Sequence, residues 1–464
     1  MLSLTWWLTY CFIFKKRNGC FTNGRSFFWH RISVPFAYML PMHRLSTLLF
    51  ICCLFSITAF AQRTEANLTE ANVPAYTLPD PLQMADGKTV TTVQQWNKVQ
   101  RPYIYHLFET NVYGRFPRTP VQMSFKVTSL NPYALDSLAT CKQITLYFNR
   151  ADTNAQIHLL LYLPNKVRGQ VPVFLGMNFY GNQSVVDDTT IPITPHYTVK
   201  GPGIVDNHAT EASRGAQASQ WPIKDIISRG YGVATFFYGE VEADKPDGWQ
   251  TGFRTQLKDV LHIEPQEWSA MGVWAWALCR ALDYLRQDRR VNEDLVLLMG
   301  HSRLGKAALW AGASDPRFAM VISNESGEGG AALSKRDYGE NIEIITRNFP
   351  HWFVANYKTF ANNTAALPVD QHMLLSLIAP RPLYVASAEG DQWSDPRGEF
   401  LSARNAEPVY KLFGKEGVGT ETFPHVQQPT GEFIRYHIRS GKHDVTSYDW
   451  EQYLQFVGKH MAMR

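Results

Sequence analysis

One run of eighteen residues, Leu295 to Gly312, carries three local signals in succession. Leu295 to Met299 is apolar, Gly300-His301-Ser302-Arg303-Leu304-Gly305 is a tight turn, and Lys306 to Ala311 is Ala-rich with good helix propensity. Strand, sharp turn and helix is the context in which a serine is exposed as a nucleophile above a sheet. Glycine suits both ends of the turn, because it puts no Cβ where strand and helix cross closely. The usual spelling of such a turn is G-x-S-x-G, and here the second glycine comes one residue later. An ordinary strand-to-helix connection can be spelled the same way, so the rest of the chain has to decide.

The flanking pattern predicts an α/β fold. Val121–Val127, Gln143–Phe148 and Gln156–Tyr162 alternate between turn residues, as antiparallel neighbours at the start of a sheet do. Val171–Asn178 is continuously apolar, as a strand buried on both faces is. Further strands are predicted at Gly232–Phe237, Ala319–Ser323, Leu383–Ser387 and Phe433–Ile438, separated by helical patterns. The strongest helix is expected over Pro265–Arg286, with Pro265 in its first turn, and a closing helix over Trp450–Met461. Strands alternating with helices after an antiparallel start imply one mostly parallel sheet with helices on both faces, an α/β-hydrolase type of fold. Its single domain is expected to span 93–464, after an extended lead-in at 62–92, with insertions at about 183–221 and 331–375.

The first 61 residues read differently. From Met42, a short positive region, the apolar run Leu48–Phe55 and the small-x-small site at Ala59-Phe60-Ala61 form a secretory signal peptide. The apolar run is shorter than the ~20 residues a membrane span needs. Residues 1–41 precede a complete signal peptide and are expected to be a mis-assigned leader. Removing the six basic residues of 1–61 from the total of 45 leaves 39 against 41 acidic ones, so the net positive charge belongs to the leader. Nothing in the remaining charge suggests nucleic acid or an anionic membrane surface as a partner. The expectation is a secreted or periplasmic monomer. Of six cysteines only Cys141 and Cys279 lie beyond the leader, and Cys279, in an apolar helix, is expected to be a buried free thiol.

In an open α/β sheet, chemistry gathers at the carboxyl ends of the strands. Four groups fall there, in the order Ser302, Glu325, Asp391 and His443. A serine hydroxyl needs a neutral imidazole to take its proton and an anion to hold that imidazole's tautomer. His443 stands in a Gly-containing loop after the last strand. His437 lies within that strand, where a packed or a surface role fits, and His301 is expected to point away from the site. Glu325 and Asp391 both qualify as the anion, and either could instead be a solvated loop carboxylate. Arg303 offers its backbone N–H and its guanidinium to an oxyanion. Lys306, one turn on, faces the same way, toward substrate or at the rim.

Taken jointly, Gly300-His-Ser-Arg-Leu-Gly-Lys-Ala-Ala308, Asn324-Glu-Ser-Gly-Glu-Gly-Gly330, Arg336-Asp-Tyr-Gly-Glu340, Asn348-Phe-Pro-His-Trp352 and Lys442-His443 resemble the glucuronoyl esterases of carbohydrate esterase family 15. The resemblance runs from about Trp96 to the C-terminus. It implies cleavage of the ester joining (4-O-methyl-)glucuronic acid on xylan to lignin alcohols, without metal or cofactor. It implies Ser302 as nucleophile, His443 as base, Arg303 at the oxyanion, and Lys306, Glu340 and Trp393 on the sugar. It leaves open whether Glu325 or Asp391 orients His443. The rival readings are an acetyl-xylan esterase or other α/β-hydrolase, and a non-catalytic carbohydrate-binding protein on the same fold.

Overall fold

The computed structural model describes residues 65–148 and 154–462. The leader and signal-peptide readings of residues 1–61 lie outside the described residues. Nine strands form the main sheet: β1 (Met123–Tyr133), β2 (Ala139–Phe148), β3 (Gln156–Pro164), β4 (Val171–Asn178), β5 (Gly232–Phe237), β6 (Val291–His301), β7 (Met320–Asn324), β8 (Leu383–Ala388) and β9 (Ile434–Arg439). Their order across the sheet is β1-β2-β3-β5-β4-β6-β7-β8-β9. The pairs from β1 to β3 and the β3–β5 pair are antiparallel, and every pair from β5 through β4 to β9 is parallel. The expected mostly parallel sheet with an antiparallel start is therefore what the chain forms.

Alternation along the strands divides the core in two. Val173 and Leu175 of β4, Val296 and Leu298 of β6, and Leu383 and Val385 of β8 join one apolar cluster. Phe174, Leu297, Tyr384 and Ala386, one residue out of phase, join the other. The helices α1 (Arg101–Phe108), α3 (Ala270–Leu285), α4 (Arg303–Ser314), α5 (Gln371–Ser376) and α6 (Pro396–Asn405) cover the first face. The helices α2 (Ile223–Ser228) and α7 (Ser447–Ala462) cover the second. Trp310 of α4 is stacked between Tyr105 and Tyr113, with ring centroids 4.7 Å away on each side. Such buried aromatic pairs add about 0.5–1.5 kcal/mol each beyond area burial. They hold α4 rigidly, and α4 is the helix that follows Ser302.

The long helix differs from expectation at its start. Pro265–Glu267 is a separate 3-10 turn, and α3 begins at Ala270. Ser269 sets that boundary, because its hydroxyl accepts from the Gly272 N–H and caps the helix. The first strand is longer than its alternation suggested, since a bulge between Val127 and Ser129 lets pairing continue to Asn131. Glu65 to Thr92 is irregular, with a 3-10 turn at Glu70–Asn72 and a turn closed by a bridge between Gln83 and Thr89. Asn67 of that segment bridges to Gly339. Cys141 and Cys279 are both free and buried.

Candidate active site

Ser302 is a single residue between β6 and α4, with φ 57° and ψ −131°. A non-glycine residue held there stores about 1–3 kcal/mol of strain. Three hydrogen bonds maintain it: Ser302 N–H donates to Asn324 O at 2.9 Å, and Ser302 O accepts from Gly305 N–H at 2.9 Å and Lys306 N–H at 3.2 Å. The displaced second glycine now has a physical reason. The helix starts at once, at Arg303, and folds back on the strand. A Cβ on Gly300 would lie 2.2 Å from Leu304 O, and one on Gly305 would lie 3.0 Å from the Ser326 side chain. The strand and helix therefore cross at positions 300 and 305. Ser302 itself is partly exposed.

His443, in the loop after β9, turns Nδ1 toward two carboxylates. Asp391 Oδ2 is 2.6 Å away and Glu325 Oε2 is 3.1 Å away. Both acids are buried, so neither is a solvated loop carboxylate. They are not equivalent. Glu325 also binds the Arg439 guanidinium at 2.6 Å and accepts from Asp444 N–H at 3.1 Å. Burial pushes the Glu325 carboxyl up to about 7, against the pull of His443 and Arg439. Burial acts on Asp391 in the same direction, but the hydrogen bond and charge of His443 outweigh it and hold Asp391 below the usual carboxylate value. Burial lowers the His443 pKa, and its bonds to Asp391 and Glu325 more than reverse this, leaving it above the ordinary imidazole value. Ligand-type atoms of Glu325, Asp391 and His443 lie within 4.8 Å of one another, a spacing that would also hold a cation.

His301 does not point away. Its ring centroid is 4.5 Å from that of His443, and its Nδ1 pairs with Asn324 Oδ1 at 2.6 Å. Alternation explains the correction: His301 shares a face with Leu297 and Met299, and the His443 loop crosses that face on its way into α7. Burial, then His443, depresses the His301 pKa to about 3, so it stays neutral. His437 is fully buried, which decides for packing over a surface role, with Nε2 2.9 Å from Asp449 Oδ1.

On the other side of Ser302, the Arg303 guanidinium lies 4.8 Å from the Trp352 ring centroid and 5.5 Å from that of Phe349. Lys306 is not at the rim. It is buried, donates to Ser326 O at 2.6 Å and stands 3.9 Å from Glu340 Oε2. Burial raises the Glu340 pKa, offset first by the Lys306 ammonium and then by the Trp393 side chain. The Glu340 backbone N–H donates to Trp393 O at 2.8 Å, which ties the two segments together. Trp393 keeps 44% of its surface exposed, whereas Trp96, Trp268, Trp274, Trp276, Trp310 and Trp450 are fully buried. The lead-in braces this wall: Glu70 binds Arg336 at 2.7 Å, and Arg336 binds Asp395 at 2.8 Å.

Sequence reasoning missed two charged residues. Arg439, the last residue of β9, binds Glu325, Asp449 and the carbonyls of Ser440, Lys442 and Asp444. It ties the His443 loop to one of the acids. Asp244, in the loop after β5, takes hydrogen bonds from Arg303, Tyr238, His351 and Trp352. The available signal was position alone: Arg439 ends a strand, and Asp244 lies in the loop that follows one.

A strained serine after a central strand, with a histidine and buried acids at the ends of the strands beyond it, defines the class as an α/β-hydrolase. The comparisons narrow it. The family model for fungal glucuronyl esterases matches residues 223–414. A glucuronoyl esterase from Solibacter usitatus is 47% identical, with 84% of this chain and 99% of that one covered and a TM-score of 0.78. A promiscuous CE15 esterase from a marine bacterial metagenome is 42% identical, with 86% and 100% covered and a TM-score of 0.80. Carbohydrate esterase MZ0003, from an unknown prokaryotic organism, is 42% identical over 408 residues, which is 87% of this chain and 94% of the relative. The chain belongs to the glucuronoyl esterases of carbohydrate esterase family 15, bacterial type, and is a carboxylic ester hydrolase.

Proposed function

We propose that the chain hydrolyses esters of (4-O-methyl-)glucuronic acid through a serine acyl-enzyme. The observation that carries the reading is the contact of His443 Nδ1 with Asp391 at 2.6 Å, with the His443 ring 4.5 Å from that of His301, the residue before the strained Ser302. With Nδ1 occupied, the other ring nitrogen is available to take the Ser302 proton. Ser302 Oγ then attacks the ester carbonyl carbon, whose oxygen becomes an oxyanion facing the Arg303 guanidinium and backbone N–H. Collapse expels the alcohol, which takes the proton from His443. Water, deprotonated by His443, then attacks the acyl carbon and frees the glucuronate and Ser302. Lys306, Glu340 and Trp393 bind the sugar. A buried ammonium and carboxylate with an exposed indole suit hydroxyls on one side and a flat ring face on the other.

The natural substrate in this reading is the glucuronate ester linking xylan to lignin, met outside the cytoplasm after signal cleavage at Ala61. No helix among the described residues is long and apolar enough to cross a membrane. The chain acts as a monomer.

The test is an ester panel on purified protein: methyl glucuronate, benzyl glucuronate and acetylated xylose. The glucuronate esters are expected to be turned over fastest, and Ser302→Ala and His443→Ala to lose about 10⁵–10⁶-fold in kcat. Near wild-type rates in either variant would refute the mechanism. One relative is described as promiscuous, so acetylated xylose is a real competitor. Preference for it would favour the acetyl-esterase alternative. A fluorophosphonate probe that left Ser302 unlabelled would favour a non-catalytic carbohydrate binder.

A further inference from the structure

The arginine after the nucleophile does not hold itself in place. Its side chain is long, and an oxyanion donor contributes fully only when it is oriented before charge develops. Asp244 supplies that orientation. One carboxylate oxygen binds Arg303 Nη1 and the Tyr238 hydroxyl. The other accepts from His351 Nε2 at 2.7 Å and Trp352 Nε1 at 2.7 Å. Trp352 is also the ring on which the guanidinium rests, 4.8 Å from its centroid. Thus Asp244 fixes both the edge and the face against which Arg303 lies.

Asp244 is itself rigid. Two residues earlier, Glu242 forms a buried pair with Arg254 at 2.6 Å, and Arg254 also donates to Pro265 O and Trp268 O. The Glu242 carbonyl accepts from the Trp274 indole of α3 at 3.1 Å. The loop is therefore pinned to the core at Glu242, by its side chain and by its carbonyl. Meanwhile the Arg303 Nε–H is buried with no hydrogen-bond partner among the described residues. The carboxylate engages one edge of the guanidinium and leaves other donors uncommitted.

We propose that Asp244 is the positioning residue of Arg303, setting the guanidinium where the oxyanion of the tetrahedral intermediate forms. This rests on the oxyanion role proposed above for Arg303. Asp244 touches no substrate atom in this scheme and acts only through the arginine.

The test is a double-variant cycle on the purified chain with methyl glucuronate, reading kcat and KM separately. Arg303→Ala and Asp244→Asn are each expected to lower kcat by about 10²–10³-fold, with KM changed by less than about threefold. The double variant is expected to be no slower than Arg303→Ala alone, within about threefold. If the two losses multiply, Asp244 acts independently of Arg303 and the proposal is overturned, as it is if Asp244→Asn keeps wild-type kcat. Should Asp244→Asn fail to fold, Asp244→Glu replaces it, keeping the charge and displacing it by one methylene, with the same pattern expected. Wild-type kcat in Arg303→Ala would overturn the oxyanion reading and this role with it. A normal loss there with multiplying effects overturns the role of Asp244 alone.

Discussion

Asp391 and His443, 52 residues apart in the chain, meet at 2.6 Å between Oδ2 and Nδ1. The same nitrogen is 3.1 Å from Glu325, whose other oxygen binds Arg439. The two acids thus differ in their surroundings: Asp391 is held below the usual carboxylate value by His443, while Glu325 is shared with Arg439 and pushed by burial up to about 7. Asp391→Asn is therefore expected to damage kcat more than Glu325→Gln. A hydrogen bond to a charged group is worth about 1.5–3 kcal/mol, or about 10–10²-fold. Removing both acids is expected to approach the ~10⁴-fold loss of an imidazole with no anion behind it. Steady-state kinetics on the three variants checks the ranking, and a larger loss in Glu325→Gln would reverse the assignment.

The same contacts set a pH dependence. His443 works as a base only when neutral, and its pKa lies above the ordinary imidazole value because Asp391 and Glu325 favour the charged form. Activity is then present above that pKa and lost as pH falls through it. Taking away an anion lowers the imidazole pKa, so the acidic limb should move to lower pH in Asp391→Asn and, by less, in Glu325→Gln. A pH profile of kcat/KM measures this, and a limb that moved upward would contradict it.

Lys306 and Glu340 form a buried, partly compensated pair 3.9 Å apart beneath an exposed Trp393. Lys306→Met should weaken glucuronate binding by about 10–10²-fold in KM, the loss of one hydrogen bond to a charged group. Trp393→Ala should raise KM for the same ester and leave labelling of Ser302 by a fluorophosphonate unchanged. A loss of labelling in Trp393→Ala would place that residue in the chemical step instead.

Gly300→Ala tests the elbow without touching a reacting group. The new Cβ would meet Leu304 O at 2.2 Å, a backbone atom that can yield only by moving the start of α4. Overpacking of this kind costs about 1–3 kcal/mol. The variant is expected to unfold at lower temperature and to lose kcat, because Ser302 and Arg303 sit on the displaced turn. Calorimetry and kinetics together check it, and unchanged values of both would refute the close approach.

Much of the site was legible before any coordinates. The strand–turn–helix around Ser302, the apolar strands and the polar residues that follow them depend on period, turn chemistry and propensity, which act over a few residues. Those local signals put Ser302, Glu325, Asp391 and His443 just after strands, which is where the fold carries them. Local pattern misjudged what it could not see across the sheet. Local pattern turns His301 away from the site, yet its ring lies 4.5 Å from that of His443. Lys306 was a candidate for the rim, yet the segment from Asn324 to Gly330 buries it.

The sequence by itself determined the fold class, the strand–turn–helix around Ser302 and the family, because each rests on neighbouring residues or on motifs in fixed order. Only the tertiary structure decided which acid stands closer to His443, and that Asp244 and Arg439 hold Arg303 and Glu325. Asp244 and Arg303 are 59 residues apart, and Glu325 and Arg439 are 114 apart. No periodicity reaches over such distances. Which charged side chains meet is set by the order in which the strands are laid into the sheet, and by how tightly burial then forces each charge to find a partner.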